Sequence, residues 1–259
     1  MLGVFKTGAT GLIAQQLAVD TVSNNLANAN TPGFKKSRVD FGQLLQQDLK
    51  NNGIPVSRGN GEAVEPAHGG GVKVVDSGKI FAPGEIINTN RPFDLAVLGD
   101  GYFLVRTPEG EARYTRDGSF EKDNAGNLVS ANGYILEGVK LPEKYDKVVI
   151  KGNGEVMVES AEGTTAAGRI RLYVFNNPDG LSAVGENMYV ETWASNAPIA
   201  GTAGAGGFGS IAQGSLEAAN VEPVEEVTTM LDAQRAYSFN ARTMRTADEM
   251  WGMANNLRK

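Results

Sequence analysis

The sequence contains no cysteine and only one histidine among its 259 residues. Without cysteine the chain has no disulfide, no thiolate nucleophile and no cysteine-ligated zinc or iron–sulfur centre. The one histidine, His68, precedes three glycines and is typical of a solvated loop. A single histidine of this kind excludes histidine-rich metal sites and disfavours a catalytic triad. We therefore expect no metal and no cofactor.

Positive charge and long apolar runs are also scarce. The chain has 24 Lys and Arg against 30 Asp and Glu, a net charge of −6, which excludes nucleic-acid binding through a basic surface.

No apolar run reaches the ~18 residues of a membrane span, so we expect no membrane insertion. The first 20 residues lack a basic start, and Gln15, Gln16 and Asp20 interrupt their apolar pattern. We therefore expect no cleaved signal peptide, and a chain that stays in the cytoplasm or leaves the cell by another route.

Both ends of the chain carry the apolar spacing of a helix. Phe5, Leu12, Val19 and Leu26 lie seven residues apart near the start, and Met230, Tyr237, Met244 and Trp251 do so near the end. This spacing predicts a seam between paired helices, because every seventh residue returns to one helix face. An amphipathic helix packed on a globular core would give a similar pattern at either end taken alone. Two such patterns in one chain favour helices that pair with each other as a coiled coil.

The first helix is unusual in its neutral polar face. Residues 1–31 contain only Lys6 and Asp20 as charged side chains, and Asn24, Asn25 and Asn28 occupy the last turns before Pro32 and Gly33 stop the helix. Amides donate and accept hydrogen bonds without the cost of burying an ion, so such a face suits burial against other protein. At the other end, Asn220 is a candidate N-cap for the terminal helix.

The middle of the chain predicts a β domain. Short apolar runs alternate with turn sequences at residues 123–126 (DNAG), 132–133 (NG) and 153–154 (NG). No helical pattern separates the runs, which predicts a mostly antiparallel sheet and an α+β fold. We expect a terminal helical assembly domain (1–35 and 220–259), a β-rich domain (76–204) and connecting arms (36–75 and 205–219). The first arm could be an extended hairpin or disordered.

Four other patterns carry little chemistry. Residues 204–209 (GAGGFG) match a dinucleotide-binding motif but lack its strand and helix, so we interpret them as a loop. Asp123 and Asn127 lack the ligand spacing of a calcium loop. Carboxylate pairs such as Glu109 and Glu111 fit a hairpin turn, and no pair stands out as catalytic. The methionines of the terminal helix could line a binding groove, although helical spacing favours packing.

Motifs at both ends and in the middle resemble one family. Residues 23–28 (SNNLAN) and 31–35 (TPGFK) resemble the N-terminal signature of bacterial flagellar axial proteins, the rod, hook and hook-associated proteins. Residues 215–250 resemble the C-terminal block of that family, including Asn220, Met230 and the QRAY motif at 234–237. The stretches FDLAVLGDGYFLV, YTRDGSF and GENMYVET are similar to its shared β domain.

The resemblance implies a structural protein without enzymatic activity. It implies a rod subunit of the distal type, with a proximal rod or hook-type subunit as the alternatives. Such a subunit would polymerise with copies of itself into a helical tube, transmit torque to the hook and pass exported subunits. Its other partners would be further rod proteins, the hook protein and the flagellar type III export apparatus. Its location would be the basal body, outside the cytoplasmic membrane.

The resemblance also implies an assembly surface made of the terminal helices, with Pro32 and Gly33 turning the chain outward and Phe34 anchoring the turn. The expected assembly residues are Leu12, Val19, Asn24, Asn25, Leu26, Asn28, Phe34, Asn220, Met230, Gln234, Arg235, Tyr237, Met244 and Trp251. Two other classes remain as alternatives, a β-rich enzyme with a carboxylate pair and a soluble adaptor that uses the methionine-rich helix.

Overall fold

The chain folds into two compact units, which we call the helical unit and the β unit. The computed structural model describes residues 2–44, 47–48, 67–68, 70–160 and 163–256. The helical unit comprises Met1–Leu26, Ser37–Gly78 and Glu222–Lys259, and the β unit comprises Ala27–Lys36 and Lys79–Val221. Each unit therefore draws on segments that are far apart in the sequence.

The described residues of the helical unit form both long helices and four strands. Its elements are α1 (Leu2–Ala27), β1 (Ser37–Gln43), β2 (Gln47–Asp48), β3 (Ala67–His68), β4 (Val72–Lys79) and α2 (Pro223–Asn256). Strand β1 pairs with β4, and β2 pairs with β3. The described parts of the first arm thus match the extended-hairpin alternative, whereas most of residues 46–66 lie outside the described residues.

The ends of the helices follow local rules. Helix α2 begins at Pro223, where the missing N–H is harmless, and Glu225 and Glu226 lie in its first turn, where the helix dipole favours negative charge. Helix α1 ends at Ala27, and the chain then turns, with the Thr31 N–H donating to the Asn28 carbonyl oxygen at 3.0 Å. The helix therefore ends before Asn28 and before the predicted Pro-Gly stop, which instead forms a turn further on, where Gly33 has a φ of +68° that a residue with a side chain rarely adopts.

In the described residues, the β unit consists of short strands and one single-turn helix (Pro178–Gly180). Its strands are β5 (Ile86–Asn88), β6 (Leu95–Leu98), β7 (Tyr102–Arg106), β8 (Ala112–Thr115), β9 (Phe120–Lys122), β10 (Asn127–Ser130), β11 (Ile135–Lys140), β12 (Lys147–Ile150), β13 (Glu155–Ser160), β14 (Gly163–Arg169), β15 (Arg171–Val174), β16 (Ser182–Gly185), β17 (Met188–Val190), β18 (Ile199–Thr202), β19 (Ser210–Gln213) and β20 (Ser215–Glu217).

Most of these strands form one large sheet. Its main path is β12-β13-β14-β11-β7-β8-β17-β16, with β9, β10, β15 and β18 attached beside it. Two small pairs, β19-β6 and β20-β5, complete the unit. The pairings within the β unit are antiparallel. The α+β class, with helices near both ends of the chain and a mostly antiparallel sheet, is confirmed.

Strand β7 lies between two apolar clusters. Phe103 and Val105 point into the larger cluster, and Tyr102 and Leu104 point into a smaller aromatic one. Alternate residues of a strand face opposite sides of the sheet, so a segment buried on both sides must be apolar, as residues 102–105 of β7 are. The turns expected at residues 132–133 and 153–154 join paired strands, β10 to β11 and β12 to β13.

The segment 205–219 differs from the linker that its composition predicts. It contains strands β19 and β20, which pair with β6 and β5, and it lies within the β unit. Residues 204–209 form the turn between β18 and β19, with Gly204, Gly206 and Gly207 at positive φ, as the loop interpretation requires. Strands of three or four residues are too short to give a clear periodicity in a Gly-rich stretch.

Candidate assembly site

The two long helices contact each other in antiparallel order. Phe5 meets Trp251 edge to face, with ring centroids 6.5 Å apart. Gly8 lies beside Met244, since a Cβ atom at residue 8 would stand 2.8 Å from the Met244 Cγ, and Gly11 faces Asn240 in the same way. Glycine at these positions lets the second helix approach closely. The contacts show that the two helices pair. The coiled coil expected from the heptad spacing stays a prediction.

Apolar side chains remain uncovered on both helices. On α1 Ile13 is 68% exposed, and on α2 Val224 is 82% and Phe239 is 69% exposed. Val227, Leu231, Tyr237, Met250, Trp251 and Met253 of α2 are also exposed. Exposed apolar surface of this extent on one element marks a site of contact with another molecule.

Asn25 ties three segments of the helical unit together. Its Nδ2 donates to the Ser37 carbonyl oxygen at 2.9 Å and to Glu226 Oε2 at 3.1 Å, and its Oδ1 accepts from the Ser37 N–H at 2.9 Å. The residue is 2% exposed. Asn25 therefore uses its amide within the chain, to join the end of α1 to the start of β1 and the first turn of α2.

Residues 33–35 belong to the interior of the β unit. Phe34 is buried there, with the Lys79 Nζ 4.8 Å from the centre of its ring. Lys35 is completely buried, and its Nζ donates to Glu217 Oε1 at 2.5 Å and to the Ala82 carbonyl oxygen at 2.8 Å. Phe34 thus anchors the chain inside this unit, a placement that leaves no ring surface for a neighbouring subunit.

A second buried cation completes a cluster that we call the Lys35–Glu217–Arg116 triad. Arg116 Nη1 lies 3.5 Å from Glu217 Oε2 and donates to the Gly99 carbonyl oxygen at 2.8 Å. The Gly84 N–H donates to Glu217 Oε1 at 2.9 Å. One carboxylate is therefore shared by two buried cations. Glu217 comes from β20, just before the chain returns to α2, and Lys35 comes just before β1.

Burial sets the protonation behaviour around the triad. Burial lowers the pKa of Lys35 below the ordinary lysine value, and the neighbouring Glu217 carboxylate opposes that shift. Burial likewise raises the pKa of Tyr102 to about 12, against the pull of the Arg116 guanidinium 4.9 Å from its ring. Sequence reasoning missed this cluster, because residues 35, 116 and 217 show no relation in a single sequence.

Asn220 does not cap α2, contrary to the sequence expectation. The helix begins at Pro223, and Asn220 lies in the β unit. Its Oδ1 accepts from the Lys36 N–H at 2.7 Å, and its Nδ2 donates to the carbonyl oxygens of Ile80 at 2.7 Å and Ala82 at 3.1 Å. The side chain cannot reach the helix end because it already holds the two neighbouring segments at residues 36 and 80–82.

The remaining expected assembly residues lie mostly on the helices. Leu12, Val19, Leu26, Met230 and Met244 are half-buried, whereas Asn24, Gln234, Arg235, Tyr237 and Trp251 are exposed. Asn28 accepts a hydrogen bond from the Thr31 hydroxyl at 3.3 Å. The structure thus brings Met244 and Trp251 against α1 and leaves Gln234 and Arg235 in solvent. Their roles in assembly stay predictions.

The described residues hold no group of three His, Asp or Glu side chains that could bind a metal ion. Neither described helix is long and apolar enough to cross a membrane.

Two terminal helices with uncovered apolar faces and a compact β unit between them in sequence define an assembly subunit. Three family models match this chain: "Flagella basal body rod protein" at residues 5–35, "Flagellar hook protein FlgE/F/G D1 domain" at 96–158 and "Flagellar basal body rod FlgEFG protein C-terminal" at 212–257.

Curated relatives extend the match to the full chain. The flagellar basal-body rod protein FlgG of Borreliella burgdorferi is 39% identical over all of both chains. The FlgG protein of Caulobacter vibrioides is 38% identical over 98% of this chain and 98% of its own length. The FlgG protein of Buchnera aphidicola subsp. Schizaphis graminum is 39% identical over 93% of this chain and 94% of its own length. The chain belongs to the FlgG family of flagellar basal-body rod proteins. Its role in the rod is structural rather than enzymatic.

Proposed function

We propose that this chain polymerises with copies of itself into the helical tube of the distal rod, which transmits torque to the hook and passes exported subunits. The observation that carries the proposal is the uncovered apolar face of α2, with Val224, Leu231 and Phe239 exposed in a single chain. In the polymer, α1 and α2 would pair as a coiled coil and form the inner lining of the tube.

Burial of this face contributes to the driving force for assembly. Each fully buried Val, Leu or Phe side chain contributes about 1.5–3 kcal/mol. Val224, Leu231 and Phe239 are only partly exposed, so their burial offsets a part of the roughly 4–15 kcal/mol that association costs in lost freedom of motion. Neighbouring subunits also exclude water from the half-buried seam of Met230 and Met244, which strengthens the pairing of the helices within each chain.

The same face favours a polymer over the alternatives. A soluble adaptor would cover its groove with one partner, whereas apolar side chains on both helices suit contacts with several neighbours. The full-length match to FlgG proteins favours the distal rod over a proximal rod or hook-type subunit. Further partners would be other rod proteins, the hook protein and the flagellar type III export apparatus, which would carry the chain across the cytoplasmic membrane without a cleaved signal.

A pair of substitutions on α2 tests the proposal. We expect Leu231→Ser with Phe239→Ser to leave the subunit exported into the medium but absent from purified hook–basal bodies. The matched control is Val184→Ser, at an exposed apolar position of the β unit. Incorporation of the double variant at the level of the control would contradict the proposal. Measuring secreted protein separates a failure of export from a failure of assembly.

A further inference from the structure

The most exposed large apolar side chain of the described residues lies in the β unit. Trp193 follows β17 and is 93% exposed. Tryptophan is the residue most enriched among side chains that dominate binding energy when they are buried in a partner. Its exposure is independent of the helical faces considered above, which belong to the other unit.

A turn held by hydrogen bonds on both sides presents Trp193. The Thr192 hydroxyl donates to the Gly180 carbonyl oxygen at 2.6 Å, and the Thr192 N–H donates to the Ser195 Oγ at 2.9 Å. Ser195 is completely buried, and Asn177 Nδ2 donates to the Ala194 carbonyl oxygen at 3.1 Å. Because this turn is held on both sides of Trp193, little backbone freedom is lost when a partner binds the indole.

The same unit contains a groove with complementary chemistry. It has a volume of about 540 Å³ and is lined by Glu137, Gly138, Arg169, Arg171 and Tyr173. Glu137 is already paired, with its Oε2 2.6 Å from Arg106 Nε. Within the described ranges neither Arg169 nor Arg171 forms an ion pair. Arg169 lies opposite Glu155 across the β13–β14 pair, and no described carboxylate forms an ion pair with Arg171. Two guanidinium groups next to a tyrosine ring form a surface that favours an aromatic side chain, and tryptophan gives the strongest cation–π interaction.

We infer that Trp193 of one copy binds in the Arg169–Arg171–Tyr173 groove of the next copy in the rod. The inference rests on the proposed function and names one of its contacts. Trp193 does not fill the groove of its own chain, since almost all of its surface is exposed. Glu191, two residues before it, adds a negative charge that suits a groove containing two arginines.

A contact of this kind has the symmetry that a rod needs. The two surfaces are different patches of one chain, so each copy offers one to the copy before it and the other to the copy after it. Such heterologous contacts build open helical filaments when the rotation between copies does not close a ring. A self-complementary patch would instead end the assembly at a dimer.

Site-specific photocrosslinking in assembled rods tests the contact. Trp193 is replaced by p-benzoyl-phenylalanine, which keeps an aromatic side chain, and the matched control carries the same analogue at Val184, exposed on β16. After illumination, hook–basal bodies are purified and crosslinked peptides are identified by mass spectrometry. We expect residue 193 to crosslink to peptides spanning 169–173 of another copy. We expect this yield to fall by about tenfold in an Arg171→Glu background, as for the loss of one strong interface interaction.

Each other outcome overturns the contact. Crosslinks from residue 193 to another segment of the chain, or to a different rod or ring protein, overturn it and leave the proposed function intact. Equal yields from residues 193 and 184 at the groove peptides show that the crosslink is not specific. A wild-type chain that never enters hook–basal bodies overturns the proposed function, and this inference with it.

Discussion

The replacement of Glu217 by glutamine has an effect that can be worked out from the buried triad. The substitution keeps the shape of the side chain and removes the only carboxylate among the described residues that pairs with Lys35 and Arg116, which are 0% and 3% exposed. Removing one partner of a buried ion pair costs about 3–5 kcal/mol, because the remaining charge is left in a poor solvent. Here two cations lose their counterion, so we expect the upper part of that range.

Replacing Lys35 by methionine should cost less. Glu217 then keeps Arg116 as its counterion and the Gly84 N–H as a donor, so the remaining charges balance. We expect about 1–3 kcal/mol for Lys35→Met. We also expect the double variant Lys35→Met with Glu217→Gln to be more stable than Glu217→Gln alone, because it removes one of the two unpaired cations.

Chemical denaturation of the purified chain, followed by the near-ultraviolet circular dichroism of the β-unit tyrosines, measures these differences. For a unit of about 150 residues, 3–5 kcal/mol corresponds to a fall in Tm of about 6–20 °C. The exposed Lys140→Met serves as the control and should change stability by less than about 0.5 kcal/mol. The reasoning is refuted if Lys35→Met is the more damaging single change, or if the second substitution fails to recover stability.

Two further predictions concern the helical unit and alkaline pH. Asn25→Ala removes three hydrogen bonds made by a buried side chain, so we expect it to lower incorporation into rods severalfold while the β unit melts normally. Asn30→Ala, at an exposed position, is the control, and equal incorporation of the two variants would refute the role of Asn25. The pKa of Tyr102 is raised to about 12 in the folded chain, so the unfolded chain loses the phenol proton at a lower pH than the folded chain does. We therefore expect the free energy of unfolding to hold below pH 10 and to fall as the pH rises from 10 toward 12. Denaturation midpoints of wild type and of Tyr102→Phe across this range isolate the contribution of Tyr102, and equal slopes in the two proteins would contradict the assignment.

The terminal helices and the antiparallel sheet could be predicted because their signals are local. Heptad spacing at Met230 and Met244 depends only on helix geometry, and Asn-Gly pairs such as Asn153 and Gly154 favour one turn type wherever they occur. The structure contains the expected helix, α2 over Pro223–Asn256, and the expected hairpin joining β12 to β13, while the coiled coil stays a prediction.

The triad and the role of Asn220 could not be predicted from the sequence for the opposite reason. Lys35, Arg116 and Glu217 meet only after three distant segments have folded together, and each alone reads as a surface charge. Asn220 satisfies a local capping rule, but tertiary hydrogen bonds to residues 36, 80 and 82 determine where its amide points. Burial of charge inside the β unit is thus the feature for which a single sequence offers the least guidance.

Electron microscopy of basal bodies from cells that lack this chain tests the central claim most directly. We expect rods that stop short of their full length and carry no hook, which is the result for a distal rod subunit. Complete rods that lack only the hook would make the chain a hook-type protein. Intact flagella that rotate normally would contradict the account.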